Sequence, residues 1–268
     1  MIEPAPLGAV PHVLSVAGSD PSGGAGIQAD LRTFALHGVF GCAAVTALTV
    51  QNARAVREVL PMEAEFVARQ IETVFDDAEI LSVKTGMLGS GLIARAVARV
   101  LGDAVARNIV VDPVLRATSG AMLVDDDGVV AIRGVLLPLA TIVTPNAAEA
   151  GVLLGAPPPQ SVAEMRHAAS AIRKLGPRWA LVTGGHVEDG DDCVDVLAGE
   201  DGVHELRVPR VVGAVTHGTG CTLSSAIAAL LALGHDVPDA CARAQRFVSA
   251  AIRARDDAMV VTAAREGA

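Results

Sequence analysis

Residues 216–225 read THGTGCTLSS, and an apolar run follows to Leu233. Backbone N–H groups in the first turn of a helix lack intrahelical acceptors and carry partial positive charge. Glycines let a ligand approach such backbone closely. Gly218, Thr219, Gly220 and Cys221 therefore have the make-up of an anion hole, suited to charge developing on a transferred phosphoryl group. Cys221 stands where the helix dipole is expected to lower a thiol pKa. There it can serve as a base or a hydrogen-bonding group toward a substrate hydroxyl. The competing reading is a small buried packing residue, the commoner fate of a free cysteine. Two further groups bear oxygen. Asp112 closes NIVVD, and Asn146 and Glu149 open the stretch NAAEA. In one reading these side chains organise water and Mg²⁺ near a triphosphate, because Mg²⁺ prefers oxygen ligands and keeps several waters. In the other, Asn146-x-x-Glu149 is a capping box. Neither excludes the other.

These residues need a scaffold, and the apolar pattern supplies one. Strands are expected at HVLSVAG, CAAVTALTVQ, ILSVKTG, NIVVDP, ATIVTP and WALVTG. Helices are expected at GIQADLRTFALHG, EAEFVARQIETVFDDA and GLIARAVARVLG, near 128–137, after Asn146, over 162–175, and at 219–233 and 237–254. In the second helix Phe66, Ile71, Val74 and Phe75 recur at helical spacing. CVDVLAG and VHELRVPR read as a hairpin across EDG. Such alternation predicts an α/β fold with a mostly parallel central sheet and helices on both faces. Ligands then sit beyond the carboxyl ends of the strands. The turn GSDPSGGAGIQAD formally matches a dinucleotide fingerprint at Gly24-x-Gly26-x-x-Ala29. However, the first glycine does not follow the strand directly, and the second strand ends in Gln51-Asn52 rather than an acid. The turn is better suited to bringing backbone and Asp30 to a small ligand.

Composition narrows the partners. The chain has 268 residues, 51% hydrophobic and 2% aromatic, so its core is aliphatic. A formal charge of −9 argues against nucleic-acid and anionic-membrane surfaces. Lysine occurs only at Lys84 and Lys174. The cysteines form no C-x-x-C pair and read as reduced thiols in a cytoplasmic protein. The apolar part of 226–233 is too short to span a bilayer, which takes about 20 residues. One domain is expected over the whole chain, with 1–11 a flexible leader.

The motifs AGSDPSGGAGIQADL, TALTVQN, KTGML, VVDPV, TPNAAEA, GGH and THGTGCTLSSAIAALL run in order over nearly the whole chain. In these the sequence resembles the hydroxymethylpyrimidine/phosphomethylpyrimidine kinases of thiamine biosynthesis, within the ribokinase superfamily. The resemblance implies a ribokinase-like fold, a cytoplasmic homodimer, and ATP as co-substrate with Mg²⁺. It implies phosphorylation of 4-amino-5-hydroxymethyl-2-methylpyrimidine and then of its monophosphate. Gly18, Asp30, Gln51, Met87, Val114 and Cys221 would contact the pyrimidine. Lys84, Asn146 and Thr183 would stand at the nucleotide phosphates, and Asp112 and Glu149 would serve the metal. Where many relatives carry lysine, this chain has Thr118 and Thr183, leaving Lys84 and Arg116 as nearby cations. A pyridoxine or pyridoxal kinase is the neighbouring alternative, and a non-catalytic ligand-binding member of the fold is a further one.

Overall fold

A computed structural model describes residues 10–52, 55–115, 123–187, 190–211 and 218–254. Residues 1–9 of the expected leader, Arg116, Thr118, Thr216 and His217 lie outside them. Nine strands form one sheet in the order β3-β2-β1-β4-β5-β6-β7-β8-β9. β1 (His12–Ser19), β2 (Phe40–Asn52), β4 (Ile80–Thr85), β5 (Ile109–Val111), β6 (Ile142–Val143) and β7 (Trp179–Val182) are parallel. β8 (Asp192–Gly199) pairs antiparallel to β7, and β9 (Gly202–Pro209) pairs antiparallel to β8 to complete the expected hairpin. The central strands are apolar and buried, as strands covered on both faces must be.

β3 (Ala55–Pro61) is an antiparallel edge strand with no counterpart in the sequence reading. Backbone pairing to β2 holds it while its side chains stay largely exposed, so it leaves no strong apolar pattern. With β2 it forms a ribbon projecting past the sheet.

Helices α1 (Gly26–Leu36), α7 (Thr219–Ala232) and α8 (Val237–Arg253) cover one face. The other face carries α2 (Ala64–Asp77), α3 (Gly91–Asp103), α5 (Ala147–Leu154) and α6 (Val162–Arg173). In α2 the inward stripe is Val67, Ala68 and Ile71; Val74 and Phe75 are partly buried, and Phe66 faces out. α4 (Asp126–Ala131) continues as a π turn over Ile132–Leu136 and a 3₁₀ turn over Leu137–Leu139. Pro138, which lacks an N–H, explains why the expected helix at 128–137 does not run on as a regular α-helix.

Because β1 and its neighbours run parallel, their carboxyl ends meet along one edge. Gln51 stands next to the last residue of β2, and Asp112, Asn146 and Thr183 follow β5, β6 and β7. α7 starts over the same edge.

Candidate active site

A cavity of ≈ 290 Å³ opens there. Gly218, Thr219, Gly220 and Cys221 line it, together with Gln51, Val114, Asp112, Asn146, Glu149 and Thr183. The structure thus brings residues from 51 to 221 around one space. Gly218 caps α7 at φ +78°, and a Cβ there would lie 1.9 Å from the carbonyl oxygen of Gly24. Only glycine fits, and the contact seats the start of α7 on the turn after β1. A Cβ on Gly220 would meet nothing within 4 Å, so glycine there leaves the space above the helix terminus open. Gly26, at φ +60°, is packed against Gly18, since a Cβ would come 2.4 Å from the Gly18 carbonyl oxygen.

Three of the expected ligand contacts stand elsewhere. Gly18 and Met87 do not line the cavity; a Cβ on Gly18 would lie 3.2 Å from Met87 Sδ. Asp30 is fully buried behind the α7 terminus. It accepts from Ser15 Oγ at 2.6 Å, from Ser225 Oγ at 2.7 Å and from Lys84 Nζ at 2.9 and 3.0 Å. Its acceptor capacity is spent inside the protein, which corrects its reading as a pyrimidine contact. Lys84 is corrected likewise. Its side chain is sealed from solvent between Asp30 and Asp112, with Nζ 3.9 Å from Asp112 Oδ2. Burial works against its charge, but Asp30, Cys221 and Asp112 together hold its pKa above the ordinary lysine value. It neutralises carboxylates and does not line the cavity. Sequence spacing did not reveal this, because the partners lie 54 residues apart.

Asp112 accepts from Ser224 Oγ at 2.9 Å and from the Cys221 thiol. Burial raises its pKa against the lowering effect of Lys84. Asn146 and Glu149 form a complete capping box, with Asn146 N donating to Glu149 Oε2 at 2.9 Å and Glu149 N to Asn146 Oδ1 at 3.0 Å. The same carboxyl accepts from Leu115 N–H and lines the cavity. Burial, then the nearby Asp112 charge, pushes Glu149 up to about 8. Two carboxyl groups this close, with too little positive charge between them, suit a divalent cation. The described residues contain no group of three or more metal-ligating His, Cys, Asp or Glu side chains. That donor set fits a Mg²⁺ ion that takes one or two carboxylates and completes its shell with water and substrate phosphates.

Cys221 overturns one expectation. Its thiol is not acidified: burial pushes it up to about 12. Lys84 lowers it, Asp112 and Asp30 raise it, and a backbone hydrogen bond from Gly26 lowers it again. The helix terminus cannot outweigh lost hydration beside two carboxylates. The thiol stays protonated and acts as a donor.

The far half of the cavity was missed by the sequence reading. β8 contributes Cys193 and Asp195, the end of β9 Val208, the position just after β9 Arg210, and α8 Gln245, Val248, Ser249 and Ile252. No short motif marks them, because each is one inward position on an ordinary amphipathic element.

Known proteins resemble this chain in sequence and fold. The family model described as phosphomethylpyrimidine kinase matches residues 20–263. The chain is 44% identical to the hydroxymethylpyrimidine/phosphomethylpyrimidine kinase of Streptomyces coelicolor, over 95% of this chain and 93% of that protein. It is 45% identical to the chloroplastic thiamine biosynthetic bifunctional enzyme TH1 of Arabidopsis thaliana, over 94% of this chain and 48% of that enzyme. The chain thus spans about half the length of that bifunctional relative. A crystal structure of Bacillus subtilis pyridoxal kinase in an ADP complex superposes with a TM-score of 0.84 at 35% identity, covering 91% of this chain and 92% of that one. The fold is ribokinase-like, and the chain belongs to the phosphomethylpyrimidine kinase family.

Proposed function

We propose that the protein, as one kinase domain, transfers the γ-phosphoryl group of ATP to the hydroxymethyl oxygen of 4-amino-5-hydroxymethyl-2-methylpyrimidine, and then phosphorylates the monophosphate. The observation that carries this is the convergence of Gln51 with the Gly218–Cys221 terminus and the Asp112–Glu149 pair on one cavity. The Gln51 amide offers both a donor and an acceptor, which matches an aminopyrimidine edge. Val114 supplies apolar wall. Phosphoryl transfer needs little covalent help from a protein; positioning and charge stabilisation dominate. The first-turn N–H groups of α7 stabilise charge on the transferred group. The Cys221 thiol orients the attacking hydroxyl, and the hydroxyl proton passes to Asp112, whose carboxyl lines the cavity beside the thiol. Asp112 and Glu149 would hold Mg²⁺, which neutralises phosphate charge when bound. Asn146 and Thr183 flank the phosphate path.

The structural likeness to a pyridoxal kinase favours a second reading, phosphorylation of pyridoxal in the same cavity. A coupled assay of ADP release with ATP and Mg²⁺ decides between them. The aminopyrimidine alcohol and its monophosphate should each turn over with a kcat/KM at least about tenfold above pyridoxal, a preference of about 1.4 kcal/mol. Preference for pyridoxal would install the second reading. No turnover with any of the three would leave a ligand-binding protein.

We also propose a homodimer formed through the outer face of the β2–β3 ribbon. Leu48, Val50 and Leu60 are each about half exposed there, on the side away from Gln51. The four free thiols support a reducing, cytoplasmic setting, and none of the described helices is long and apolar enough to cross a membrane.

A further inference from the structure

The loop after β7, residues 183–187, forms one wall of the cavity through Thr183, Gly185 and His186. It is tied down from two sides. On the β8 side, Gly184 N donates to Asp195 Oδ1 at 2.8 Å. A Cβ on Gly184 would lie 1.9 Å from Val194 O, so loop backbone and strand are in direct contact. On the other side stands Arg210, just after β9. Its Nη1 donates to Gly185 O at 3.1 Å, and its Nη2 to Val187 O at 2.6 Å and Asp192 O at 3.2 Å. One guanidinium thereby joins the middle and end of the loop to the start of β8.

Two features show that this is more than a surface fastening. First, Arg210 Nε is buried and has no hydrogen-bond partner. A buried N–H left unmatched costs stability, which points to a role other than stability. Second, the ionisable side chains on the described cavity wall are Asp112, Glu149, Asp195, His186, Cys193, Cys221 and Arg210. Arg210 is the one permanent cation among them. A triphosphate entering the cavity meets the Asp112 and Asp195 carboxyl groups, and a fixed guanidinium offsets the like charge.

We infer that Arg210 is a positioning residue for the nucleotide: it sets the shape of the loop at 184–187 and supplies the permanent positive charge on that wall. This rests on the kinase reading above. A lysine would keep the charge but lose the planar fork that engages three carbonyls at once.

The test measures binding, not turnover. ADP and a non-hydrolysable ATP analogue are titrated calorimetrically into wild type, Arg210→Lys and Arg210→Gln, with the aminopyrimidine alcohol as the control ligand. Arg210→Gln should weaken both nucleotides roughly tenfold to a hundredfold, the range for loss of charged hydrogen bonds. The pyrimidine should stay within about twofold, because the change is confined to the other half of the cavity. Arg210→Lys should fall between wild type and Arg210→Gln, and it keeps the test alive if the glutamine variant does not fold. Wild-type nucleotide affinity in the folded variants would overturn the inference. So would an equal loss for pyrimidine and nucleotide together with a lowered Tm, which marks general loosening. If the wild-type protein itself binds no adenine nucleotide, the kinase reading fails, and this inference with it.

Discussion

Replacing Lys84 by methionine tests the buried charge cluster behind the α7 terminus. Methionine keeps most of the side-chain volume and removes the ammonium. In the wild type Nζ lies 2.9 and 3.0 Å from the Asp30 oxygens and 3.9 Å from Asp112 Oδ2, and the Lys84 and Asp30 side chains are both wholly buried. The variant leaves Asp30 with two hydroxyl donors, Ser15 and Ser225, and no counter-charge. Breaking a buried pair from one side typically costs about 3–5 kcal/mol. Against a usual total of about 5–15 kcal/mol, that is a large share. Asp30→Asn in the same chain removes the stranded charge; one serine keeps an acceptor in Oδ1, and the other turns to accept from the new NH₂. The double variant should therefore be more stable than Lys84→Met alone, with a coupling of about 2 kcal/mol or more. Urea unfolding followed by circular dichroism measures all four species, with the slope checking that unfolding stays two-state. A Lys84→Met protein within about 1 kcal/mol of wild type would refute the reasoning, since an exposed pair costs no more than that. So would additive losses, which would show that Lys84 and Asp30 do not act as a unit.

The site makes three further predictions. Cys221→Ala should lower kcat by about 10²-fold, the low end for a positioned proton-handling group, and leave KM for ATP near wild type, because alanine keeps the backbone donors; a normal kcat returns Cys221 to a packing role. Since burial holds the thiol near 12, it should react slowly with iodoacetamide at pH 7. Gln51→Ala should weaken pyrimidine binding roughly tenfold or more by stranding a polar edge, with ATP affinity retained; equal losses for both ligands would place Gln51 outside the pyrimidine subsite. Asp195 is pushed from 3.8 to about 6 by burial, against the lowering effect of the Gly184 and Gln245 hydrogen bonds. The folded state thus favours its protonated form, and the stability this gives is complete below about pH 4 and lost as pH rises through about 6. Asp195→Asn should gain on wild type between those limits by up to about 3 kcal/mol in urea midpoints converted to free energy, and a difference that does not change with pH would show an unshifted carboxyl.

Much of this was legible in the chain. The parallel strands appear as short apolar runs because both of their faces are buried, and Gly218-Thr219-Gly220 marks a helix start because the backbone there takes φ +78°. The capping box at Asn146 and Glu149 is local too, and it forms as its spacing predicts. Tertiary structure decided the rest. Lys84 and Asp30 are each plausible ligand contacts in isolation; only their meeting across 54 residues shows that they consume one another's charge. Cys221 sits at a helix terminus that should acidify it, yet its pKa is set by lost hydration and by the neighbouring Asp112 and Asp30 charges. Asp195 and Arg210 carry no motif, since their roles arise from backbone groups of a loop that folding brings beside them. Sequence fixes periodicity and local caps because those depend on neighbours a few residues away. Charge state and contact depend on burial and distance in space, and these exist only once the sheet has formed.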